Sequence, residues 1–289
     1  DTPMYQIGWN FECLLYGDQP LGWDQVGTKE LIKNVKHEQF VDYMSKLYVP
    51  KNTVISIAGN ISHEDALKLV EENFKMEDRE KGVEFKPLEG LQKDKKVYLQ
   101  NKNTEQAHLS IGFPAYSEEH ADHWGLKLLS VMLGGNMSSR MFLGVREAKG
   151  IAYYIHTTTD DYSDTGIIAT TAGVDLTRVD EAIEGIIEQY GMIKNEGVTE
   201  EELNKAKAYF KGKMVLKLED SEEYSHLLAK FELLHGEAMS PDEIMAELDK
   251  VTVEDIKRIC DDILKEEEMR IALIGPYDDE AKFEAMLKY

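Results

Sequence analysis

The sequence contains an internal repeat, and one of the two copies is incomplete. The segment that begins at Lys36 aligns with the segment that begins at Thr252 at a constant offset of 216, and residues 14–17 align with residues 233–236 at an offset of 219. The matched positions include Phe40 with Ile256, Tyr43 with Ile259, Leu47 with Ile263, Ile55 with Ile271, Ile57 with Leu273, and Gly59 with Gly275. A repeat of this kind predicts that the same supersecondary structure occurs twice in the chain.

Only the second copy has a long front part, which runs from Lys96 to about Glu219. The chain therefore resembles one and a half domains. We expect residues 1–76 to be the back half of a first domain, residues 77–95 to be a charged linker, and residues 96–289 to be a complete second domain. Because the first residue is Asp1 and not Met, we also expect the chain to be a fragment of a longer protein.

The second copy has the pattern of an α+β domain. β-branched and aromatic runs predict strands at 96–101, 108–115, 151–160, 166–174 and 270–274. Helical spacing and capping patterns predict helices at 122–133, 138–150, 178–195 and from 199 to about 214, with others opening at Ser240 and Thr252. We expect duplicated two-layer domains, in which helices pack on one face of a sheet rich in antiparallel pairs.

The charge balance excludes several classes of partner. Lys and Arg number 33 and Asp and Glu number 55, which gives a formal net charge of −22. So acidic a chain repels nucleic acids and anionic membrane surfaces, and no run approaches the roughly 18 apolar residues of a membrane span. We therefore expect no nucleic-acid or membrane partner. The two cysteines cannot form a disulfide framework, and together with the low isoelectric point they favour a cytoplasmic location.

The sequence carries no zinc-peptidase motif, which needs two imidazoles one helical turn apart and carboxylates beside them. Neither His-Glu-x-x-His nor His-x-x-Glu-His occurs among the eight histidines. The segment most similar to such a motif is 119–123, which contains His120 and His123. Its acidic residues are equally typical of the first turn of an exposed helix, where the helix dipole favours negative charge. We expect no metal site, no cofactor and no catalytic residue in this chain.

One segment, residues 133–153, combines a double glycine, a short helix and the start of a strand. Arg146 lies late in that helix and Tyr153 early in the strand, with the turn at Gly150 between them. A guanidinium and a phenol brought together there can both donate to one carbonyl or oxyanion. The alternative is that Arg146 pairs with a surface carboxylate while Tyr153 packs on the sheet.

The same segment carries a resemblance to a known family. The matching residues are 134–140, 145–147 and 150–153, with 21–22, 26–28, 48–52, 58–60, 197–199 and Lys207 in family order. Together they resemble the C-terminal portion of the insulinase, pitrilysin and mitochondrial processing peptidase family of zinc metallopeptidases. The resemblance extends over essentially the whole chain.

The resemblance implies a fold of the LuxS and processing-peptidase type, in which two similar domains close around a chamber that encloses peptides. Family members carry an inverted zinc motif in the front half of the first domain, which the repeat lacks here. By resemblance, Arg146 and Tyr153 reach the substrate carbonyl beside the zinc, and Gly134, Gly135 and Asn136 form a flexible substrate-binding loop. Asn136 stands where a third glycine is common, and Asn tolerates left-handed backbone well.

Three hypotheses follow. The first is the C-terminal portion of a two-domain zinc endopeptidase, inactive by itself, with peptides or small proteins as substrates and zinc held by a missing N-terminal half-domain. The second is a fragment of a non-catalytic, substrate-binding subunit that pairs with an active, zinc-containing subunit, for example as a dimer. The third is an acidic interaction protein in which Arg146 and Tyr153 lie apart and have no role.

Overall fold

The computed structural model describes residues 2–289. The α-helices are α1 (Pro3–Tyr16), α2 (Lys29–Asn34), α3 (His37–Leu47), α4 (His63–Asn73), α5 (His123–Ser130), α6 (Val179–Glu196), α7 (Glu200–Lys217), α8 (Ser221–His235), α9 (Pro241–Lys250), α10 (Val253–Ile263) and α11 (Glu280–Met286). The strands are β1 (Val97–Asn101), β2 (Ala107–Ala115), β3 (Ala152–Asp161), β4 (Gly166–Val174) and β5 (Arg270–Gly275). Two π-helical segments, Val131–Gly135 and Phe142–Glu147, follow α5. Within residues 2–289, no helix is long and apolar enough to cross a membrane.

The five strands form one mixed sheet in the order β1-β5-β2-β4-β3. Only β1 and β5 are parallel, and every other neighbouring pair is antiparallel. Each strand begins and ends within one residue of its predicted bounds. The prediction of an α+β fold with an antiparallel-rich sheet is confirmed.

Helices α5, α6 and α10 form the predicted helical layer on one side of the sheet. Tyr190 of α6 is fully buried there, and its ring meets Phe113 of β2 edge-on at a centroid distance of 5.2 Å. The Tyr190 hydroxyl donates to the Ile111 carbonyl oxygen at 3.1 Å and lies 2.6 Å from Thr170 Oγ1. A buried phenol needs such partners, because an unpaired hydroxyl in an apolar core is costly.

Helix α1 covers the opposite face of the same sheet, which the sequence did not predict. Its buried residues Ile7, Phe11 and Leu15 belong to one cluster with Ala169 of β4 and Ile274 of β5. Successive strand residues point to opposite faces, so Ala169 faces α1 while the next residue faces α6. The central strands are therefore buried on both sides, which explains why every residue of β4 and β5 is buried.

The repeat is visible in the structure, element by element. At the offset of 216, α3 coincides with α10, and the short 3₁₀ turn Pro50–Asn52 coincides with Glu266–Glu268. At the offset of 219, α1 overlaps α8. Both α3 and α10 end at a residue of similar backbone conformation, Tyr48 (φ −87°, ψ 71°) and Leu264 (φ −82°, ψ 61°).

The two copies differ sharply in burial. Ile256 and Ile259 of α10 are completely buried, whereas their counterparts Phe40 and Tyr43 of α3 are 58% and 59% exposed. Strand β5 lies between two neighbours, but its counterpart, residues 54–59, is not a strand. The second copy supplies β1 and β2 as neighbours, and no equivalent strands occur for the first copy within residues 2–289.

The chain divides into two compact units, each made of separate segments. One comprises the residues up to Gln25 with Pro87–Phe210 and Leu248–Tyr289, and contains the sheet. The other comprises Val26–Lys86 and Lys211–Glu247. The predicted boundaries at residues 76 and 96 follow the repeat along the sequence and stay a prediction.

The end of the predicted linker belongs to the sheet-containing unit. The backbone N–H of Leu88 donates to the Asp164 carboxylate at 2.7 Å, and that of Gln92 donates to the Leu15 carbonyl at 2.8 Å. These bonds fix the chain beside the C-terminus of α1 before β1 begins.

Replacing Phe11 by Ala tests the role of α1. Phe11 is 1% exposed, so the truncation leaves a cavity, and we expect the free energy of unfolding to fall by about 3–5 kcal/mol. Tyr5→Ala is the matched control, because Tyr5 lies on the same helix and is 77% exposed, and its effect should stay within about 0.5 kcal/mol. Urea unfolding measures both, and equal effects would contradict the packing described here.

Two carboxyl groups, Glu12 of α1 and Asp160 near the end of β3, influence each other where α1 meets the β3–β4 turn. The Tyr162 hydroxyl donates to Glu12 Oε1 at 2.5 Å. Burial raises the pKa of Glu12 above its ordinary value; the bond from Tyr162 opposes this rise, and the Asp160 carboxylate adds to it. Burial, and then the neighbouring Asp161, raise the pKa of Asp160 as well. The folded state therefore retains protons here that the unfolded chain releases.

This pair predicts a pH dependence of stability with a definite sign. Because the folded pKa of Glu12 is raised, its contribution is fully favourable below the ordinary value of 4.5 and is lost as the pH rises through the folded pKa. Gln at position 12 can still accept the Tyr162 bond but does not titrate. The measurement is the difference in the free energy of unfolding between the unmodified chain and Glu12→Gln at a series of pH values. We expect the unmodified chain to lose stability relative to Glu12→Gln as the pH rises above about 4.5. A difference that is constant with pH would refute the effect.

Candidate functional site

Gly134 lies in the π-helical segment that follows α5 and packs against strand β3. A Cβ atom added at this position would lie 2.3 Å from both the backbone nitrogen and the Oγ1 atom of Thr157. Thr157 is itself fixed, because its Oγ1 lies 2.7 Å from Thr170 Oγ1 on the next strand. Close packing therefore requires glycine at position 134.

The next two residues are held by hydrogen bonds. The Tyr209 hydroxyl of α7 donates to the Gly135 carbonyl at 3.0 Å, and the Asn136 side-chain oxygen accepts from the Ser138 N–H at 2.8 Å. Asn136 is extended (φ −156°, ψ 177°), a conformation open to any residue. The tolerance of Asn for left-handed backbone is therefore not used at position 136.

Arg140 anchors the loop to the start of α7. Its Nε and Nη2 atoms each donate to the Glu202 carboxylate at 2.8 Å, and Nη2 also donates to the Gly197 carbonyl. Such a two-point ion pair fixes orientation as well as distance. Sequence reasoning included Arg140 only in the run of matching residues 134–140 and gave it no role of its own.

Arg146 lies in the second π-helical segment, in which the Ala148 N–H bonds to the Leu143 carbonyl five residues back. The flanking residues Met141 and Val145 are completely buried, but Arg146 is exposed. Its guanidinium carbon lies over the Phe142 ring, 4.9 Å from the centroid. Across the described range 2–289 it has no carboxylate partner, so the alternative of a surface ion pair is not observed.

Tyr153 occupies a β-bulge at the start of β3. The register with β4 shifts between Ala152 and Tyr154, so Tyr153 is the extra residue. Bulges redirect a side chain and are frequent beside active sites. Tyr153 is 56% exposed, and its hydroxyl bonds to no other residue of the described chain.

Gly150 forms the turn that joins these two residues. It has a positive φ of 61°, and its N–H donates to the Arg146 carbonyl at 3.0 Å. Within residues 2–289, Arg146 and Tyr153 share no hydrogen bond or ring contact, and both residues are exposed. Their joint role stays a prediction.

The sheet carries a polar group that sequence reasoning missed. His108 Nδ1 lies 2.8 Å from the Tyr154 hydroxyl, and the two residues sit on strands separated by β4. The Tyr154 ring crosses β4 at Gly173, where a Cβ atom would lie 2.3 Å from the ring. Burial lowers the pKa of His108 and raises the pKa of Tyr154 to about 12, so both are neutral near pH 7. The available sequence signal was Gly173 itself, because a glycine inside a strand pattern indicates the close approach of another group.

The donor groups present do not form a zinc site. His120 stacks on Tyr116 at a centroid distance of 3.9 Å, and His123 Nδ1 lies 4.0 Å from Asp161 Oδ1. Helix α5 starts only at His123, so the two imidazoles do not share a helical face. No cluster of three or more His, Cys, Asp or Glu residues between positions 2 and 289 could hold a metal ion.

Gly134→Ala tests the close contact with β3. The added methyl group must displace Thr157, and we expect a loss of about 1–3 kcal/mol in the free energy of unfolding. Gly8→Ala in α1 is the control, because no atom lies within 4 Å of its added Cβ and Ala is the better helix former. If both variants unfold at the same urea concentration, close packing does not explain the glycine.

The chain is similar to several known proteins. The family model described as the peptidase M16 inactive domain matches residues 34–210. The uncharacterized zinc protease YmxG of Bacillus subtilis is 34% identical over 264 residues, which cover 90% of this chain and 63% of that protein. The uncharacterized zinc protease ML0855 of Mycobacterium leprae is 29% identical over 282 residues, which cover 96% of this chain and 63% of that protein. The chain thus spans a little less than two thirds of these relatives.

The fold has a close counterpart among solved structures. The peptidase M16 inactive domain from Pseudomonas fluorescens superposes with a TM-score of 0.84 at 19% identity, over 96% of this chain and 66% of that one. The resemblance to zinc metallopeptidases drawn from the sequence is confirmed. The family model covers more than half of the chain. The chain therefore belongs to the peptidase M16 family, and residues 34–210 match the inactive domain of that family.

Proposed function

We propose that this chain is the C-terminal, substrate-contacting portion of a two-domain zinc-dependent endopeptidase and has no activity by itself. The names of the curated relatives, which are zinc proteases, support the reaction class. We include in this proposal a chamber that encloses peptides or small proteins, and a cytoplasmic location.

The observation that carries the proposal is the pair of unsatisfied donors at Arg146 and Tyr153. The backbone around them is tied down by Gly134, Arg140 and the buried residues of the π-helical segment. In a chain with 55 acidic residues, an arginine without a carboxylate partner is available for a ligand. Rigid backbone with free donors is the arrangement that binding to a carbonyl oxygen or oxyanion requires.

In the proposed reaction, the guanidinium of Arg146 and the phenol of Tyr153 donate hydrogen bonds to the carbonyl oxygen of the scissile peptide. Those bonds strengthen as negative charge develops on this oxygen, which stabilises the transition state more than the ground state. Zinc would supply Lewis-acid chemistry in the intact protein, and residues outside this chain would hold it. The residues of this chain bind and orient the substrate.

The exposed first copy of the repeat supports a missing partner half. In the second copy, the equivalent apolar residues are covered by the sheet and its helices, whereas Phe40, Tyr43 and Ile57 are 58%, 59% and 48% exposed. Apolar surface of this extent on one unit marks an interaction surface. We propose that it packs against an N-terminal half-domain built like the front part of the second copy.

Arg146→Ala and Tyr153→Phe, made in the whole gene product, test the donor roles. Loss of a transition-state donor should lower kcat for peptide cleavage by a factor on the order of 10² to 10³, with little change in thermal stability. Arg79→Ala is the matched control, since Arg79 is an exposed arginine that pairs with Glu77. Unchanged kcat in both site variants would overturn the donor roles.

The coding sequence upstream of the Asp1 codon tests the reaction class. A His-x-x-Glu-His motif followed by a distant Glu there supports the endopeptidase. A half-domain without those ligands would overturn catalysis by this protein and favour a non-catalytic subunit that binds substrate beside an active partner. In that case peptide affinity replaces kcat as the measurement on the same variants.

A further inference from the structure

Arg146 differs from Arg140, Lys149 and Arg178, three cations of the same region, in the kind of partner it has. Arg140 pairs with Glu202, Lys149 with Glu188, and Arg178 with Glu181. Arg146 lies among these pairs along the chain, yet its one recorded side-chain contact within residues 2–289 is the ring of Phe142. An aromatic ring has thus taken the place that a carboxylate occupies for the other three.

The two kinds of partner leave the arginine in different states. A carboxylate accepts two of the five guanidinium N–H donors and cancels the charge. A ring attracts the cation through its quadrupole, holds it in place, and does not consume the donors in this way. The arginine over Phe142 therefore keeps both its charge and its capacity to donate.

The Phe142 ring is a fixed support for the arginine. Phe142 is half-buried, and it opens the π-helical segment directly after the completely buried Met141. In the same segment Gly144 lies against α6, where a Cβ atom would come within 2.7 Å of the Gln189 amide nitrogen. Short π-helical segments are rare and cluster at functional sites.

We propose that Phe142 is the residue that positions Arg146 for substrate, by holding the guanidinium through a cation–π contact while leaving its N–H donors free. This inference rests on the proposed function, because it requires that Arg146 contacts the peptide. Phe142 itself does not touch the substrate.

A double-mutant cycle on Phe142→Leu and Arg146→Ala tests this inference. The readout is the affinity of the whole gene product for fluorescein-labelled peptides from a casein digest. Phe142→Leu should weaken binding about two- to fivefold, the value of an exposed cation–π contact. In the Arg146→Ala background it should cause no further loss, because the ring then has no cation to hold.

Two more variants separate positioning from folding. Phe142→Tyr retains a ring face and should bind peptides as tightly as the unmodified protein. If Phe142 were needed only to fill space, Phe142→Met would bind them equally well. Thermal unfolding of Phe142→Leu reports any loss of structure. The inference is overturned if Phe142→Leu binds like the unmodified protein, if its loss persists in the Arg146→Ala background, or if Phe142→Met restores binding as well as Phe142→Tyr does.

Failure of the proposed function looks different in the same assay. If Arg146→Ala binds peptides as tightly as the unmodified protein, or if the unmodified protein binds none, Arg146 has no role in substrate binding, and both proposals fall. If Arg146→Ala weakens binding and Phe142→Leu does not, only the positioning role is lost.

Discussion

Burial of the central strands on both faces is the constraint on which the rest of the sheet-containing unit depends. Strands β2, β4 and β5 lie between α1 on one side and α5, α6 and α10 on the other, so a polar group on either face is costly unless it has a hydrogen-bond partner. Polar side chains of neighbouring strands accordingly bond to each other, as Thr157 does with Thr170 and His108 with Tyr154. This rigid frame supports the loop that carries Arg146 and Tyr153.

The helices and strands of the second copy could be predicted from the sequence, because the local residue pattern of each element agrees with its surroundings in the fold. Strand β4 is a β-branched run, and strand β2 carries Leu109, Ile111 and Phe113 at alternate positions; both strands have neighbours on each side. The first copy shows what the pattern alone does not determine. Ile55 and Ile57 match Ile271 and Leu273 in spacing, but without neighbouring strands they remain 40% and 48% exposed. A strand is defined by its partners, which lie far away along the chain.

Donor chemistry and resemblance named Arg146 and Tyr153 as candidates, with the turn at Gly150 between them, and their role stays a prediction. Neither indicated the π-helical backbone or the bulge, because both consist of one extra residue in a regular element, and no hydrophobic period reports such an insertion. The position of α1 was missed for a related reason. Its apolar stripe shows that it is buried, but not which sheet covers it.

The π-helical segment also determines which sequence changes can move the site. In an α-helix each residue advances the chain by about 100° around the axis, so deleting one residue from a π-helical turn rotates everything before or after it by that amount. Met141 and Val145 are completely buried and hold the segment against the core. A single-residue deletion between Phe142 and Arg146 would therefore change the angle between these two side chains and remove the ring contact of the arginine, although the buried residues on either side keep their places.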